Sequence, residues 1–149
     1  MTCENNSELK IYQKNLKDLY VSVGSWLSEK NISFKEGEHT LNEEKFGQYN
    51  VAKMMINLPD KNTKLAELCP VAASVLGADG RVDLICDFDK LIFLYLMPER
   101  PDGTIKEVPY KGVEQNAWYW IEDYRRAKAH LIEKELFFEL LEVVSDYEF

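Results

Sequence analysis

The clearest pattern in the chain is an apolar stripe near its N-terminus. Between residues 8 and 30, apolar side chains recur at intervals of three and four, which is the spacing of one face of an α-helix. The stripe consists of Leu9, Tyr12, Leu16, Leu19, Val23 and Trp26. Ser7 suits the start of this helix and Asn31 suits its C-terminal cap. The pattern therefore predicts a long N-terminal helix packed on an apolar surface.

The segment that follows this helix is ambiguous. Residues 32–38 predict a short edge strand, with a turn at Gly37 leading out of it. Residues 49–58 carry apolar side chains at helical spacing, but a glycine and an asparagine close to their start would weaken a helix. A strand is therefore favoured, and a helix over residues 41–57 is the alternative. Pro59 is expected to end either element.

From residue 64 onwards the pattern is typical of antiparallel strands joined by turns. Residues 65–76, interrupted at Pro70, predict strand structure, and the Gly-Ala-Asp-Gly sequence at 77–80 predicts a tight turn. Apolar and largely charged residues alternate over 81–88, which predicts a strand with one face in water. Residues 91–97 are apolar throughout, so they predict a central strand covered on both faces.

The last third of the chain predicts a loop, a strand and a helix. Residues 99–112 contain two prolines and an Asp-Gly pair, which indicate an exposed loop. Residues 117–121 predict the last strand, with its two tryptophans on one face. Apolar residues at helical spacing between 132 and 147 predict a C-terminal helix whose outer side is acidic.

Together these elements predict an α+β fold. We expect a long N-terminal helix, a mostly antiparallel meander of about five strands, and a C-terminal helix packed on the same sheet face. The 149 residues are 46% hydrophobic, which is enough for a packed core, and no repeat or linker divides them. Residues 1–149 are therefore expected to form a single domain.

Charge and cysteine content restrict the environment and the partner. The net charge of -8 argues against direct binding to nucleic acid or to a membrane, because both require clustered Lys and Arg. The longest apolar run has seven residues, against roughly 20 in a transmembrane helix, and no secretory signal is recognisable. Three cysteines without regular spacing predict neither a disulfide framework nor a zinc site. We therefore expect a cytoplasmic protein with no cofactor or metal, whose partner is another protein.

Three aspartates form the strongest candidate for catalysis. Asp83, Asp87 and Asp89 share one strand face if the strand is continuous, and neighbouring carboxylates can hold Mg²⁺ for phosphoryl hydrolysis. No basic phosphate clamp or glycine-rich loop accompanies them. A solvated strand face is therefore the favoured interpretation, and a carboxylate-dependent metal hydrolase is the alternative.

A thiol nucleophile is a weaker candidate. Cys69 or Cys86 could react as a thiolate if His39 or His130 acted as its base. Nothing in the sequence places a cysteine next to a histidine, so inert cysteines are the favoured interpretation.

The remaining candidates point to protein binding. Trp, Tyr and Arg dominate binding hot spots, and they are concentrated between residues 118 and 126, although core packing would also explain the aromatic residues. The acidic C-terminal helix could imitate nucleic-acid phosphates, although an acidic outer face is also normal for solubility. We favour a non-enzymatic protein-binding module of the inhibitor, immunity-protein or adaptor type, with an acidic nucleic-acid decoy as a further alternative. The predicted binding residues are Trp118, Tyr119, Trp120, Tyr124, Arg125, Arg126, Glu139 and Glu142.

Overall fold

The computed structural model describes residues 3–58, 63–87, 89–105, 107–123 and 125–148. Their helices and strands are α1 (Cys3–Glu29), β1 (Ser33–Glu43), β2 (Gly47–Asn57), β3 (Lys64–Ala72), β4 (Arg81–Cys86), β5 (Asp89–Leu96), β6 (Ala117–Asp123), β7 (Lys128–Leu131) and α2 (Lys134–Ser145). The strands form one antiparallel sheet in chain order, so each pairs with the next. The α+β prediction is confirmed, but the meander has seven strands instead of about five. Neither described helix is long and apolar enough to span a membrane.

The two helices bury the larger of two hydrophobic cores. Cross-strand partners build the sheet side of this core, because Met54 pairs with Leu68 and Leu68 pairs with Leu84. The helices meet above the sheet, where the rings of Trp26 and Phe137 lie 5.9 Å apart. The helix residues of this core include Tyr12, Leu16, Leu19, Tyr20, Val23, Leu27, Phe137, Phe138, Leu140, Leu141 and Val144. The apolar stripe predicted for α1 is therefore the surface that this helix buries.

A smaller core lies on the opposite face of the sheet. Its buried residues are Leu94, Leu96, Tyr119, Ile121 and Ala129. Residues from two connecting segments cover it, among them Val75 from 73–80 and Tyr110 from 97–116. Strand β5 contributes to both cores, which confirms that this apolar strand is covered above and below. The segment 99–112 is not only an exposed loop, because part of it closes this second core.

The hairpin of β1 and β2 is longer than the sequence predicts. Gly37 does not form a turn but lies inside β1, where it pairs with Lys53. A side chain at Gly37 would meet the Met55 methyl carbon at 2.9 Å, so glycine makes room for its neighbour on β2. The actual turn falls at residues 44–46, followed by Gly47 at φ +73°. Strand was the correct choice for the second segment, and the helix over 41–57 is wrong because cross-strand pairing outweighs local spacing.

Two further differences concern β3 and β7. Strand β3 is continuous through Pro70, where the prediction placed a break. Pairing between β2 and β3 ends at Leu68, so no neighbour on that side requires the N–H that proline lacks. Strand β6 is not the last strand, because the four-residue β7 pairs with it.

Gly80 allows α1 to approach β4 closely. It has φ +153°, and a Cβ there would lie 2.6 Å from Cδ1 of Tyr12. The Tyr12 hydroxyl donates a hydrogen bond to the Arg81 carbonyl at 2.8 Å, which fixes the ring. We expect Gly80→Ala to lower the free energy of unfolding by about 2 kcal/mol, from backbone strain plus displacement of this ring. Urea unfolding followed by circular dichroism measures the loss.

The matched control for this prediction is Gly103→Ala. Gly103 also has a positive φ, +87°, but nothing lies within 4 Å of its Cβ position. This variant should show the backbone cost alone, about 1 kcal/mol. Equal losses in the two variants would contradict a role for the contact with Tyr12.

Candidate binding surfaces

The predicted aromatic residues are divided between the interior and the surface. Trp118 is only 6% exposed and its indole N–H donates to the Asn15 carbonyl at 2.9 Å. Tyr119 is buried in the smaller core. Trp120 is half-buried and its ring packs against His130, with centroids 5.4 Å apart. Tyr124 lies outside the described residues. Trp118 and Tyr119 therefore hold the fold together, and Trp120 keeps part of its surface.

The predicted arginines border a cluster of positive charge. Arg125 and Arg126 are exposed in the connection between β6 and β7. They line a shallow depression of about 530 Å³. We call this depression the cationic concavity; its lining includes Lys111, Gly112, Arg125, Arg126, Lys128 and His130. The sequence predicted the two arginines but neither lysine, and Lys111 joins the others only through tertiary contacts.

The predicted acidic residues of α2 differ in exposure. Glu139 is exposed, whereas Glu142 is half-buried. The main-chain carbonyl of Glu142 accepts a hydrogen bond from Asp146, whose left-handed backbone ends the helix. Glu139 is therefore the freer of the two carboxylates for an intermolecular contact.

The three candidate aspartates have different surroundings. Asp83 is only 4% exposed, and its two carboxylate oxygens accept hydrogen bonds from the Arg81 guanidinium at 2.9 and 3.0 Å. Asp87 and Asp89 are exposed near the turn between β4 and β5. In the described ranges, no group of three or more His, Cys, Asp or Glu residues is placed to hold a metal ion. The expectation that the charged face of β4 lies in water is wrong at Asp83, because this carboxylate is buried with its own counterion.

One of the possible cysteine and histidine pairs is in contact. The sulfur of Cys69 on β3 lies 3.8 Å from Nε2 of His39 on β1. Burial raises the pKa of the Cys69 thiol above its ordinary value, and the negative charge of Glu67 adds to this effect. The thiol is therefore held in its protonated form at neutral pH, which is the opposite of what a nucleophile needs.

The nearby carboxylate of Glu67 is neutralised by two lysines of the same sheet. Its carboxylate lies 3.0 Å from the Lys64 ammonium and 3.3 Å from that of Lys53. Burial alone would raise the pKa of Glu67, but the hydrogen bonds and charges of the two lysines outweigh it and lower this pKa. The Glu67 carboxylate on β3 therefore links the two strands through its ion pair with Lys53 on β2.

A second surface, which was not predicted from the sequence, lies between α1 and the hairpin. This depression has a volume of about 540 Å³, and its α1 wall includes Leu16, Lys17 and Tyr20. The Tyr20 hydroxyl donates to the Ala52 carbonyl at 2.7 Å and so fixes the helix above the strands. We call it the α1–β1 groove; its lining is Gln13, Leu16, Lys17, Tyr20, Glu36, Gly37, Glu38, Asn50, Val51 and Ala52.

Exposed apolar side chains continue this groove along the helix. Val21 is 66% exposed and Phe34 is 39% exposed, and both line an adjoining depression that shares Lys17, Tyr20 and Glu36 with the groove. Val21 falls outside the buried stripe of α1. An apolar residue on the polar side of a predicted helix was the available sequence signal for this surface.

The two edges of the sheet differ in whether another segment forms hydrogen bonds with their main chain. The edge at β7 is covered by residue 111, because Lys111 N–H donates to the Ala127 carbonyl at 2.6 Å and Ala129 N–H donates to the Lys111 carbonyl at 2.9 Å. The edge at β1 pairs only on its inner side, with β2. Within the described ranges, no hydrogen bond joins the main chain of β1 to the main chain of a segment outside the hairpin, and the contact at its last residue is made by the Glu43 carboxylate, which accepts from the Ala73 and Ser74 N–H groups. The fold therefore leaves an eleven-residue strand open beside the α1–β1 groove.

Comparison with known proteins gave no match: no protein-family model, curated protein or solved structure is significantly similar to this chain.

Proposed function

We propose that this chain is a non-enzymatic protein-binding module that receives an extended segment of its partner along β1. The open edge of this strand carries the proposal. Alternate residues of an edge strand direct their N–H and C=O groups outward, where an added strand can pair with them. Such main-chain bonds provide affinity, and a neighbouring groove that accepts side chains provides specificity.

The asymmetry of the two sheet edges supports this use of β1. Proteins usually protect exposed edges, since unpaired strands invite aggregation. The β7 edge has such protection from Lys111. Strand β1 instead carries exposed charges at Lys35, Glu36 and Glu38, which discourage pairing with another copy but permit pairing with a complementary strand.

Charge and polarity indicate the chemistry of the partner segment. Glu36 and Glu38 line the α1–β1 groove, and the whole chain has a net charge of -8. The floor of the groove is apolar at Leu16 and Val51. The occupant we propose is an extended segment that alternates apolar side chains with Lys or Arg, because this pattern complements both properties.

Peptide selection followed by affinity measurement tests the proposal. Linear peptides displayed as a random library are selected against the chain, and their dissociation constants are measured by fluorescence anisotropy. We expect selected peptides to alternate apolar and basic residues. Glu36→Lys with Glu38→Lys should weaken their binding by about tenfold or more, since both changes oppose the basic side chains. Glu107→Lys with Glu114→Lys, at exposed positions far from β1 in the sequence, makes the same charge change and should leave affinity within about twofold.

A second measurement separates strand addition from general charge attraction. Two synthetic versions of a selected peptide carry N-methyl groups on alternate amides, one version on the odd positions and the other on the even positions. Only one of the two versions loses the N–H donors that face β1. That version should lose binding and the other should keep it. Equal binding of both versions, or amide chemical-shift changes confined to α2 or to β6 and β7, would contradict the proposal.

A further inference from the structure

Two exposed apolar side chains lie together beside the open edge of β1. Phe34 belongs to β1 and Val21 belongs to α1, and both line one depression of about 340 Å³. We call it the Val21–Phe34 depression. It adjoins the α1–β1 groove, because Lys17, Tyr20 and Glu36 line both. The packing of α1 on the hairpin therefore places an apolar recess next to the strand that the proposed function uses.

Gly24 allows the Phe34 ring to pack directly on α1. A Cβ at this position would lie 2.7 Å from Cζ of the ring, so no larger residue fits between the ring and the helix. Glycine is unfavourable inside a helix, and this contact accounts for its presence here. The ring is therefore held against α1 and forms a fixed apolar wall of the depression.

The main chain of Phe34 points outward at the open edge. On β2, the Ala52 carbonyl accepts a hydrogen bond from the Tyr20 hydroxyl at 2.7 Å. The Asn50 carbonyl likewise accepts one from the Gln13 side chain at 3.3 Å. These even-numbered carbonyls of β2 therefore point away from β1. Because bonded and non-bonded pairs alternate along an antiparallel ladder, the odd-numbered residues of β1 bond to β2 and the even-numbered ones face the free side.

The side chain of Phe34 faces α1. Phe34 pairs with Ile56, which is buried in the larger core between the sheet and the helices. Residues directly opposite each other on neighbouring strands direct their side chains to the same face of the sheet. A strand added to β1 therefore places the side chain opposite Phe34 on the α1 face, with the two Cβ atoms about 5 Å apart. That position is at the Val21–Phe34 depression.

We infer that the Val21–Phe34 depression holds one large apolar side chain of the partner segment, the anchor, and so sets the register of this segment on β1. The inference rests on the proposed function. In antiparallel pairing, which joins all neighbouring strands of this sheet, the segment residue opposite Glu36 precedes the anchor by two positions. The residue opposite Glu38 precedes it by four. The segment therefore reads basic-x-basic-x-apolar from its N-terminus, and the positions x face the other side of the sheet.

An alanine scan of a library-selected peptide tests this register by fluorescence anisotropy. Selected peptides should share the order basic-x-basic-x-apolar. Alanine at the anchor should weaken binding by about tenfold or more, because a buried apolar side chain is lost, and alanine at a position x should cost less. Moving the anchor by one position at constant composition directs its side chain to the opposite face and should cost as much as removing it.

Two valine variants test the depression itself. Val21→Ala should weaken the same peptide by about fivefold, because two methyl groups in contact with the anchor are lost. Val143→Ala changes a similarly exposed valine on α2 and should leave affinity within about twofold. Nuclear Overhauser effects between the anchor and the Val21 methyl groups should locate the anchor directly.

The outcomes distinguish this inference from the proposed function. If the two N-methylated peptides differ but the alanine scan shows no dominant apolar position, strand addition stands and the anchor is overturned. Equal effects of the two valine variants, or an anchor that precedes the basic residues, would overturn it in the same way. If the N-methylated peptides bind equally, strand addition is contradicted and the anchor with it.

Discussion

Trp118→Ala is expected to lower the free energy of unfolding by about 3–5 kcal/mol. The side chain is 6% exposed and belongs to the larger core, where its ring packs edge-on against Tyr95 at 5.3 Å. Its indole N–H also bonds to the main chain of α1 at Asn15. Removal of the ring therefore leaves a cavity and removes a hydrogen bond between the sheet and the helix.

Urea unfolding of three variants checks this expectation. Trp118→Phe keeps most of the apolar packing but loses the hydrogen bond, so a loss of about 1–2 kcal/mol is expected beyond the change in ring size. Trp120→Ala, in the half-buried tryptophan two residues away, should cost less than Trp118→Ala. If the two alanine variants were equally stable, Trp118 would not hold α1 to the sheet.

Asp83→Asn is expected to cost about 2–4 kcal/mol of unfolding free energy. The substitution keeps the shape of the side chain but removes the charge that pairs with Arg81. The arginine side chain is only 25% exposed, so water cannot fully replace the lost carboxylate. Most of the expected cost is therefore the lost attraction between the guanidinium and the carboxylate in a place that water reaches only in part.

A double-mutant cycle with Arg81→Met tests this origin of the cost. The double variant Arg81→Met with Asp83→Leu should lose less stability than the sum of its single variants, because no charge remains unpaired. Asp87→Asn changes an exposed carboxylate just after β4, and its free energy of unfolding should stay within about 0.5 kcal/mol of that of the natural chain. Strict additivity in the cycle would contradict a coupled pair.

The same variants bear on the alternative of a metal hydrolase. With Asp83 bonded to Arg81, millimolar Mg²⁺ is expected to leave the melting temperature unchanged. A metal that binds only the native state would raise it. A rise that disappears in Asp83→Asn would show that the carboxylate can exchange Arg81 for a metal.

Local periodicity predicted the elements whose environment is uniform along their length. Helix α1 buries one stripe, and α2 buries residues at the same spacing, so each sequence repeats at the helical period. Strand β5 was recognisable as central because Phe93 and Leu94 enter opposite cores. In these elements the contacts follow directly from the order of apolar residues.

The hairpin and the last strand were harder to predict from the sequence, because strand pairing depends on residues that are distant along the chain. Val51, Met54, Met55 and Leu58 have helical spacing, yet the first three lie in β2 because β1 pairs with its whole length. Strand β7 has only four residues, and it is extended because it pairs with β6. A four-residue segment is too short to show a period by itself.

The candidate surfaces were harder to predict from the sequence than the helices and strands, because they depend more on tertiary structure. The sequence by itself determined the α+β class, the two terminal helices, the acidic charge and the two arginines of the cationic concavity. Tertiary structure decided that Trp118 and Asp83 are buried, that Cys69 meets His39, and that Lys111 joins the arginines. The reason is physical: periodicity reports which side of an element is apolar, but burial and charge pairing depend on which distant segment covers that side.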